Sequence, residues 1–537
     1  MAHFDELIVV IDRGLRQASL SFHLLLPLWI PALVLLAIGL FGRAMAVVNF
    51  ICCWYTFGQT AQFEYHADHL YSAIAFLLLF APAFDAWSVD KLRRDLAQPG
   101  EALRTGTPTV WRVWPYTLLF VAVALPYFDS ASWKIISPMW REGLGVWLPA
   151  SLPLNLWLSP GGLQPFLDSH ALMVTLSYAI VLLQLGFIFL MWFRPLQPVL
   201  WGLGMSVHLC LALVFPTPLH ALTMMALYLV LIPDAWWEAL GRAGRVDASA
   251  RERFVVEADK LESLRRGVWL RACDWRGRYE IVVAEAGEHD ASDFAAALRS
   301  TPYGRLLRRQ GGAWARRRCE RPARPPSAFW DFATRSLRVP LAIAGVSTVI
   351  QGAIIAFASP AGRAVWHRVD GGDELVHQYW WRVEAVSRRA RPVLGLVPHP
   401  LLMDFQYEGY HHVVAGVFLH PDGREEWLPL VNPDGTAAFM TLGRMWQSWH
   451  FRVVGARVQD KEVVAGLGAY TTVWARKEGL DLRGRRVEIR VKKIRVPFAW
   501  EVGVLSENAE APWQLVGELR WEGERFLPTL LAPVESF

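Results

Sequence analysis

Lysine is scarce in this chain. Seven of its 54 basic residues are lysine, and within the first 250 residues only Lys91 and Lys134 occur. Lys134 stands in LPYFDSASWKIISPMWREGLGVWL, the stretch Leu125–Leu148, with Trp133, Trp140 and Trp147 around it. Arginine keeps its proton in any protein, whereas a lysine desolvated among indoles is driven towards the neutral amine and can serve as a base. Lys134 is therefore the leading catalytic candidate. The competing reading is a lysine that snorkels to water beside an aromatic belt at a membrane surface.

Two further groups of residues could do chemistry. FEYHADHLYS holds Glu64, His66, Asp68 and His69. His66 and His69 are three residues apart and would share a helix face, which makes them weak candidates for a metal site; no third ligand is set by spacing, so no metal is expected. His208, in GLGMSVHLCLALVF, lies in an apolar run. An ionisable group there either faces a functional cavity or makes a structural hydrogen bond to a neighbouring helix. The chain has no P-loop, dinucleotide glycine motif, GxSxG or HExxH, which argues against the commonest soluble-enzyme classes.

These residues must be positioned by helices in an oily chain. Of the 537 residues, 53% are apolar, concentrated in the first 240 and in one later run. The reading is a multi-pass α-helical membrane bundle of about eight transmembrane helices, near residues 24–42, 44–58, 69–87, 114–128, 171–193, 196–215, 219–237 and 339–358. A further helix at 3–17 would lie on the membrane or the bundle, and the start shows no cleavable signal peptide. Lys91, Arg93, Arg94, Arg104 and Arg112 mark loop 88–113 as cytoplasmic, and the count of crossings then puts Leu125–His170 outside. One last passage at 339–358 would deliver the C-terminal part to the face of Lys134. The arginine bias and the lack of an Asn-x-Ser/Thr sequon suit a bacterial cytoplasmic membrane.

The domain reading is 1–240 helical membrane domain, 241–337 cytoplasmic basic α/β insertion and linker, 338–359 last transmembrane helix, and 360–537 a β-rich, sandwich-like extracytoplasmic domain. In the insertion, RGVWLRACDW and RYEIVVAEA read as strands and ASDFAAALRSTPYGRLLRR as a helix. ARRRCERPARPP reads as a basic linker facing anionic lipid, with no nucleic acid implied. In the last domain HPDG and NPDG, at His420–Gly423 and Asn432–Gly435, are hairpin turns, because Asp-Gly supplies a positive φ. The strands flanking them are YHHVVAGVFL, EEWLPLV and TAAFM; WHFRVVGARV, AYTTVWARK, RRVEIRVKKIRV and WQLVGELRW are further strand candidates. All five cysteines precede residue 320, so packing and not disulfides must hold this domain.

Residues 24–240 resemble the HTTM membrane domain of vitamin K-dependent gamma-glutamyl carboxylases and their bacterial relatives. YHADHLYSAIAFLLLFAP with WSVDKL resembles the family's His-containing span and its Ser-x-Asp turn, here Ser88 and Asp90. PYFDSASWKIISPMWREG resembles the stretch in which a lysine precedes Trp-x-Glu-Gly, here Lys134, Trp140, Glu142 and Gly143. SVHLCLALVFPTPLHALTMMALYLVLIP resembles the second His-containing span, with His208, Phe215 and Pro216. The chain departs from the carboxylases at Trp133, where they often carry a second lysine, and at Ile136–Ser137–Pro138.

The resemblance implies that Lys134 deprotonates a reduced quinone, with His69, His208, Trp140 and Glu142 supporting the quinol site. The cofactors it implies are reduced vitamin K or menaquinol, oxygen and carbon dioxide. The implied partners are the lipid bilayer and a protein or peptide substrate on the extracytoplasmic side. The function read from this is a quinol-dependent oxygenase, epoxidase or carboxylase-like enzyme. The alternative is a non-catalytic membrane scaffold, its β-rich domain binding a cell-envelope partner through an exposed patch around Trp427, Trp446 and Trp449.

Overall fold

The computed structural model describes residues 25–59, 66–80, 84, 88–104, 113–232, 234–284, 293–301, 338–370, 373–395, 398–409, 411–438, 443, 446–447, 449–450, 459–523 and 525–534. The expected helix at 3–17, Glu64, the His66 side chain, the basic linker and most of WHFRVVGARV lie outside these residues.

The N-terminal half is helical. Its helices are α1 (Leu25–Ala37), α2 (Gly42–Gln59), α3 (His66–Leu78), α4 (Val89–Ala97), α5 (Pro99–Arg104), α6 (Val113–Lys134), α7 (Pro160–Leu167), α8 (His170–Leu190), α9 (Gln197–Val214), α10 (Pro218–Val230) and α11 (Asp234–Gly244). The Ser-x-Asp turn ties two of them together: Ser88 caps α4 by accepting from Lys91 N at 3.0 Å. Asp90 accepts from the N–H groups of Phe41 and Gly42, where α2 begins. A carboxylate there satisfies donors that the first turn of a helix leaves free. Each of the eight expected spans overlaps a described helix. By length and composition, two described helices suffice to cross a membrane, α8 and α9; α1, α3 and α10 are apolar but shorter. The count of about eight crossings is therefore an expectation that the helices accommodate without establishing.

The segment after residue 250 forms a βαβ unit: β1 (Glu252–Glu257), α12 (Leu261–Cys273) and β2 (Tyr279–Ala284), the strands parallel, followed by α13 (Phe294–Ser300). RGVWLRACDW is thus mostly helix, not strand. Its buried Leu264, Gly267, Val268 and Leu270 form one face only when the pattern is followed from Leu261. Arg265 and Arg271 donate to the carbonyls of Leu96 and Ala102, which fixes the unit beside α4 and α5.

Helices α14 (Arg338–Ala358), α15 (Pro360–Asp370) and α16 (Asp373–Leu394) come next. Residues 360–370 and 373–394 are thus helical, and among the described residues of this part β structure begins only at His412. Phe357 stacks on Tyr379, and Trp380 and Val383 pack on Ile354, so α16 runs back along α14. A helical hairpin therefore replaces the expected single passage, and residue 395 returns to the end of α14 that residue 338 starts from.

The C-terminal sheet has the order β4-β3-β5-β6-β7, with β3 (His412–Leu419), β4 (Glu425–Trp427), β5 (Arg486–Lys493), β6 (Trp513–Glu522) and β7 (Arg525–Leu530), all antiparallel. Both Asp-Gly turns form, with Gly423 at φ 83° and Gly435 at φ 91°. A helix, α17 (Asp460–Glu478), covers one face of the sheet, with Trp474 against Phe418; a shorter helix, α18 (Val504–Glu510), follows β5. The domain is one sheet with a helix on it, not a sandwich. AYTTVWARK belongs to α17: its β-branched residues favour a strand, but Val463, Val464, Leu467, Gly468, Thr471, Trp474 and Ala475 make a helical face, ended by Gly479 at φ 70°.

The sheet does not stand apart from the bundle. Trp140, Trp147, Leu148, Leu152 and Leu154 share one core with Val413, Val414, Val487 and Ile489. Trp446 and Trp449 are buried in that core and Trp427 is half-buried, so the exposed aromatic patch expected of a scaffold is not there.

Leu467 of α17 is fully buried over Gly416 of β3. Leu467→Ala should destabilise the C-terminal domain by about 2–5 kcal/mol, read as a lower denaturant midpoint of its near-ultraviolet signal.

Candidate functional site

Lys134 is the last residue of α6 and lies beyond its apolar stretch, in the polar turns DSASWK. It is 3% exposed. Its Nζ donates to Ser130 Oγ at 2.5 Å, one turn back on the same helix, and lies 4.9 Å from the centre of the Trp140 ring. Both are neutral partners. Burial pushes the amine down to about 7, and the nearby Asp129 carboxylate pulls the other way.

Asp129 is fully buried. Its Oδ2 accepts from the backbone N–H of His399 at 2.6 Å and faces His399 Nδ1 at 3.3 Å, while Oδ1 has no partner. The carboxylate is thus spent on the segment after α16 and makes no hydrogen bond to the lysine.

Trp140 is held from three sides. Its Nε1 donates to Leu402 O at 2.6 Å. Its helical turn is capped by Ser137, which in turn bonds Asp404, and Met139 N donates to Asp404 Oδ1 at 2.7 Å. A Cβ on Gly145 would come within 2.2 Å of the indole, so only glycine lets the ring lie where it does.

Lys134 and Trp140 line a cavity of about 470 Å³ bounded by α3, α6, α7, α8, α9, α10 and α14 and by Leu394, Gly395, His399, Leu401 and Leu402. Its wall is almost wholly apolar. The polar exceptions include Lys134, Ser130, Tyr127, His208, His220 and His399. His208 Nε2 is 2.6 Å from Tyr127 Oη, which accepts from Tyr228 Oη at 3.1 Å. The other ring nitrogen of His208, Nδ1, is buried with no partner.

The expected site residues therefore divide. Lys134, Trp140 and His208 come together around one cavity. His69 is buried but does not line it; its carbonyl abuts Gly395, whose φ of 67° and lack of a side chain permit the approach. Glu142 is exposed and also outside the lining. Among the described residues no three His, Cys, Asp or Glu side chains gather as metal ligands, and the His66 side chain is not among those residues. Asp129 and Ser130 were legible as polar groups beside Lys134, five and four residues back. Tyr127, His220 and His399 carried no signal in their own neighbourhoods.

The family model of the HTTM domain matches residues 15–236. Over those residues, under half of its length, the chain is similar to the HTTM domain. That domain is found in vitamin K-dependent carboxylase-type membrane proteins. No curated protein and no solved structure matches the chain. The HTTM domain supplies Lys134, Trp140 and His208. The cavity is closed from beyond it by Ile343, Ser347, Leu394 and the segment His399–Leu402.

The Lys134 amine should react with a lipid-soluble acid anhydride half-maximally near pH 7, read by peptide mass spectrometry over a pH series. Below that midpoint the amine is protonated and inert; above it the free base reacts. Asp129→Asn should move the midpoint lower, because the charge that favours the ammonium is gone. A midpoint near the ordinary 10.5 would mean the amine is solvated.

Proposed function

We propose that this cavity takes a reduced quinone, reduced vitamin K or menaquinol, and that Lys134 accepts the proton of its hydroxyl. The observation that carries the reading is a buried amine without a carboxylate hydrogen bond, facing an apolar cavity of about 470 Å³. That volume is within the usual range for small-molecule sites, about 300–1,000 Å³. The residues fit such a ligand: apolar walls for ring and chain, one amine, and the unpartnered Nδ1 of His208 for a polar atom.

A reduced quinone, once bound, supplies two electrons that oxygen can accept. What the chain contributes is proton handling. Neutral Lys134 Nζ takes the proton, and the ammonium so formed is stabilised by the face of Trp140, by Ser130 Oγ and by the nearby Asp129 charge. His208, oriented through Nε2 by Tyr127, presents Nδ1 to an oxygen in the cavity. The apolar walls keep water from the proton-transfer site. On this reading the helices of the first 240 residues cross a bacterial cytoplasmic membrane several times, the sheet lies on the face of the bundle where Lys134 sits, and any peptide substrate meets the site there. Oxygen and carbon dioxide are the co-substrates that the family relationship suggests.

Purified wild type and Lys134→Ala, incubated with reduced vitamin K or menaquinol and oxygen, test this by mass spectrometry of the quinone epoxide. Wild type should form epoxide and Lys134→Ala should lose it by about 10²–10⁴-fold while eluting as a folded protein. Equal epoxide from both would remove Lys134 from the mechanism.

A further inference from the structure

The cavity wall is not closed on every side. Around Lys134 it is buried, with Leu125, Trp140 and Ala150 all at 5% exposure or less. Towards α7, α8 and α9 the lining residues are also surface residues: Phe166 is 59% exposed, Leu176 39% and Leu203 44%, and Cys210 is exposed too. The cavity is partly open to the exterior, and residues that line it and also meet the exterior mark the thinnest part of its wall. This opening lies on the two helices that, among the described residues, are long and apolar enough to cross a membrane, and neither α8 nor α9 contains an acidic residue, a lysine or an arginine.

We infer that the cavity is entered sideways from the bilayer, through a portal between α7, α8 and α9, and that its ligand is a membrane-dissolved amphiphile whose chain trails through that portal. The inference rests on the quinone reading for its choice of ligand and extends it by the route. A water-borne polar substrate would have to leave water and cross the apolar outer face of α8 and α9 to arrive this way, at a cost of several kcal/mol for each unpaired polar group. An isoprenoid chain crosses that face freely. The cavity need hold only the head group and the first part of the chain, the remainder staying in lipid. Chain length beyond that point should then matter little, whereas removal of the chain should matter greatly.

Cys210 is a reporter already in place. With the full chain in phosphatidylcholine–phosphatidylglycerol nanodiscs, alkylation of Cys210 by N-ethylmaleimide is followed by peptide mass spectrometry, with menaquinone or its chainless ring, menadione, as ligand. Menaquinone should slow alkylation about tenfold at saturation, and menadione should not. The double variant Leu176→Trp/Leu203→Trp, which fills the portal, should capture at least about tenfold less menaquinone than wild type. If Cys210 reacts equally fast with and without captured menaquinone, the portal is refuted, whether or not the double variant folds. Capture unchanged in a folded double variant refutes it as well. If wild type captures no menaquinone, the quinone reading and the portal fall together. Protection of Cys210 alongside full epoxide formation by Lys134→Ala would overturn the role of the lysine and leave the portal standing.

Discussion

The amine of Lys134, removed from water with only a hydroxyl and an indole face for company, is what the surrounding structure has to accommodate. Burying a charged ammonium costs several kcal/mol unless it is paired, and the carboxylate best placed to pair with it is directed elsewhere. Asp129 sits five residues back on the same helix and gives its Oδ2 to the backbone and ring of His399. The lysine is left with Ser130 and the Trp140 ring, an arrangement that tolerates the neutral amine and still favours the ammonium when a proton arrives. A direct ion pair at that position would fix the amine in its charged form.

This balance needs the C-terminal domain. The indole of Trp140 is held by Leu402, its turn by Asp404, and Asp129 by His399, all supplied after α16. The same contact surface continues outward: Ala437 N donates to Leu156 O, Trp446 Nε1 to Leu154 O, Asn508 Nδ2 to Ser151 O, and Gly503 N to Asp168. Because β3 is buried along nearly its whole length, one of its faces must be covered by something other than α17; the segment 139–156 belongs to the core that does so. The sheet is a cap grown onto the bundle.

How much of this was legible follows from the range over which each signal acts. Lys134 stood out because its residue type is rare and its neighbours are tryptophans, both local facts. His208 stood out because it is ionisable in an apolar run. The turns at Gly423 and Gly435 were legible because a positive φ is demanded by the dipeptide itself. By contrast, RGVWLRACDW and AYTTVWARK, which lie largely in α12 and α17, look like strands because short windows rich in Val, Trp and Thr look alike in both states, and only the longer pattern separates them. The Asp129–His399 contact spans 270 residues, and nothing in VPHP announces it. His69 and Glu142 illustrate the opposite error: residues chosen for their place in a motif, which the fold puts outside the cavity.

The site is therefore composite in a way that bears on its specificity. The match to the HTTM domain ends at residue 236, yet α14, Leu394, Gly395, His399, Leu401 and Leu402 complete the wall of the cavity that Lys134 and His208 line. The residues that close the cavity above the lysine thus lie outside the stretch that the family model matches. In this chain those segments bring a histidine whose ring and backbone occupy the only carboxylate close to the lysine among the described contacts of α6, so the part that closes the cavity also helps to set the charge state of the amine inside it.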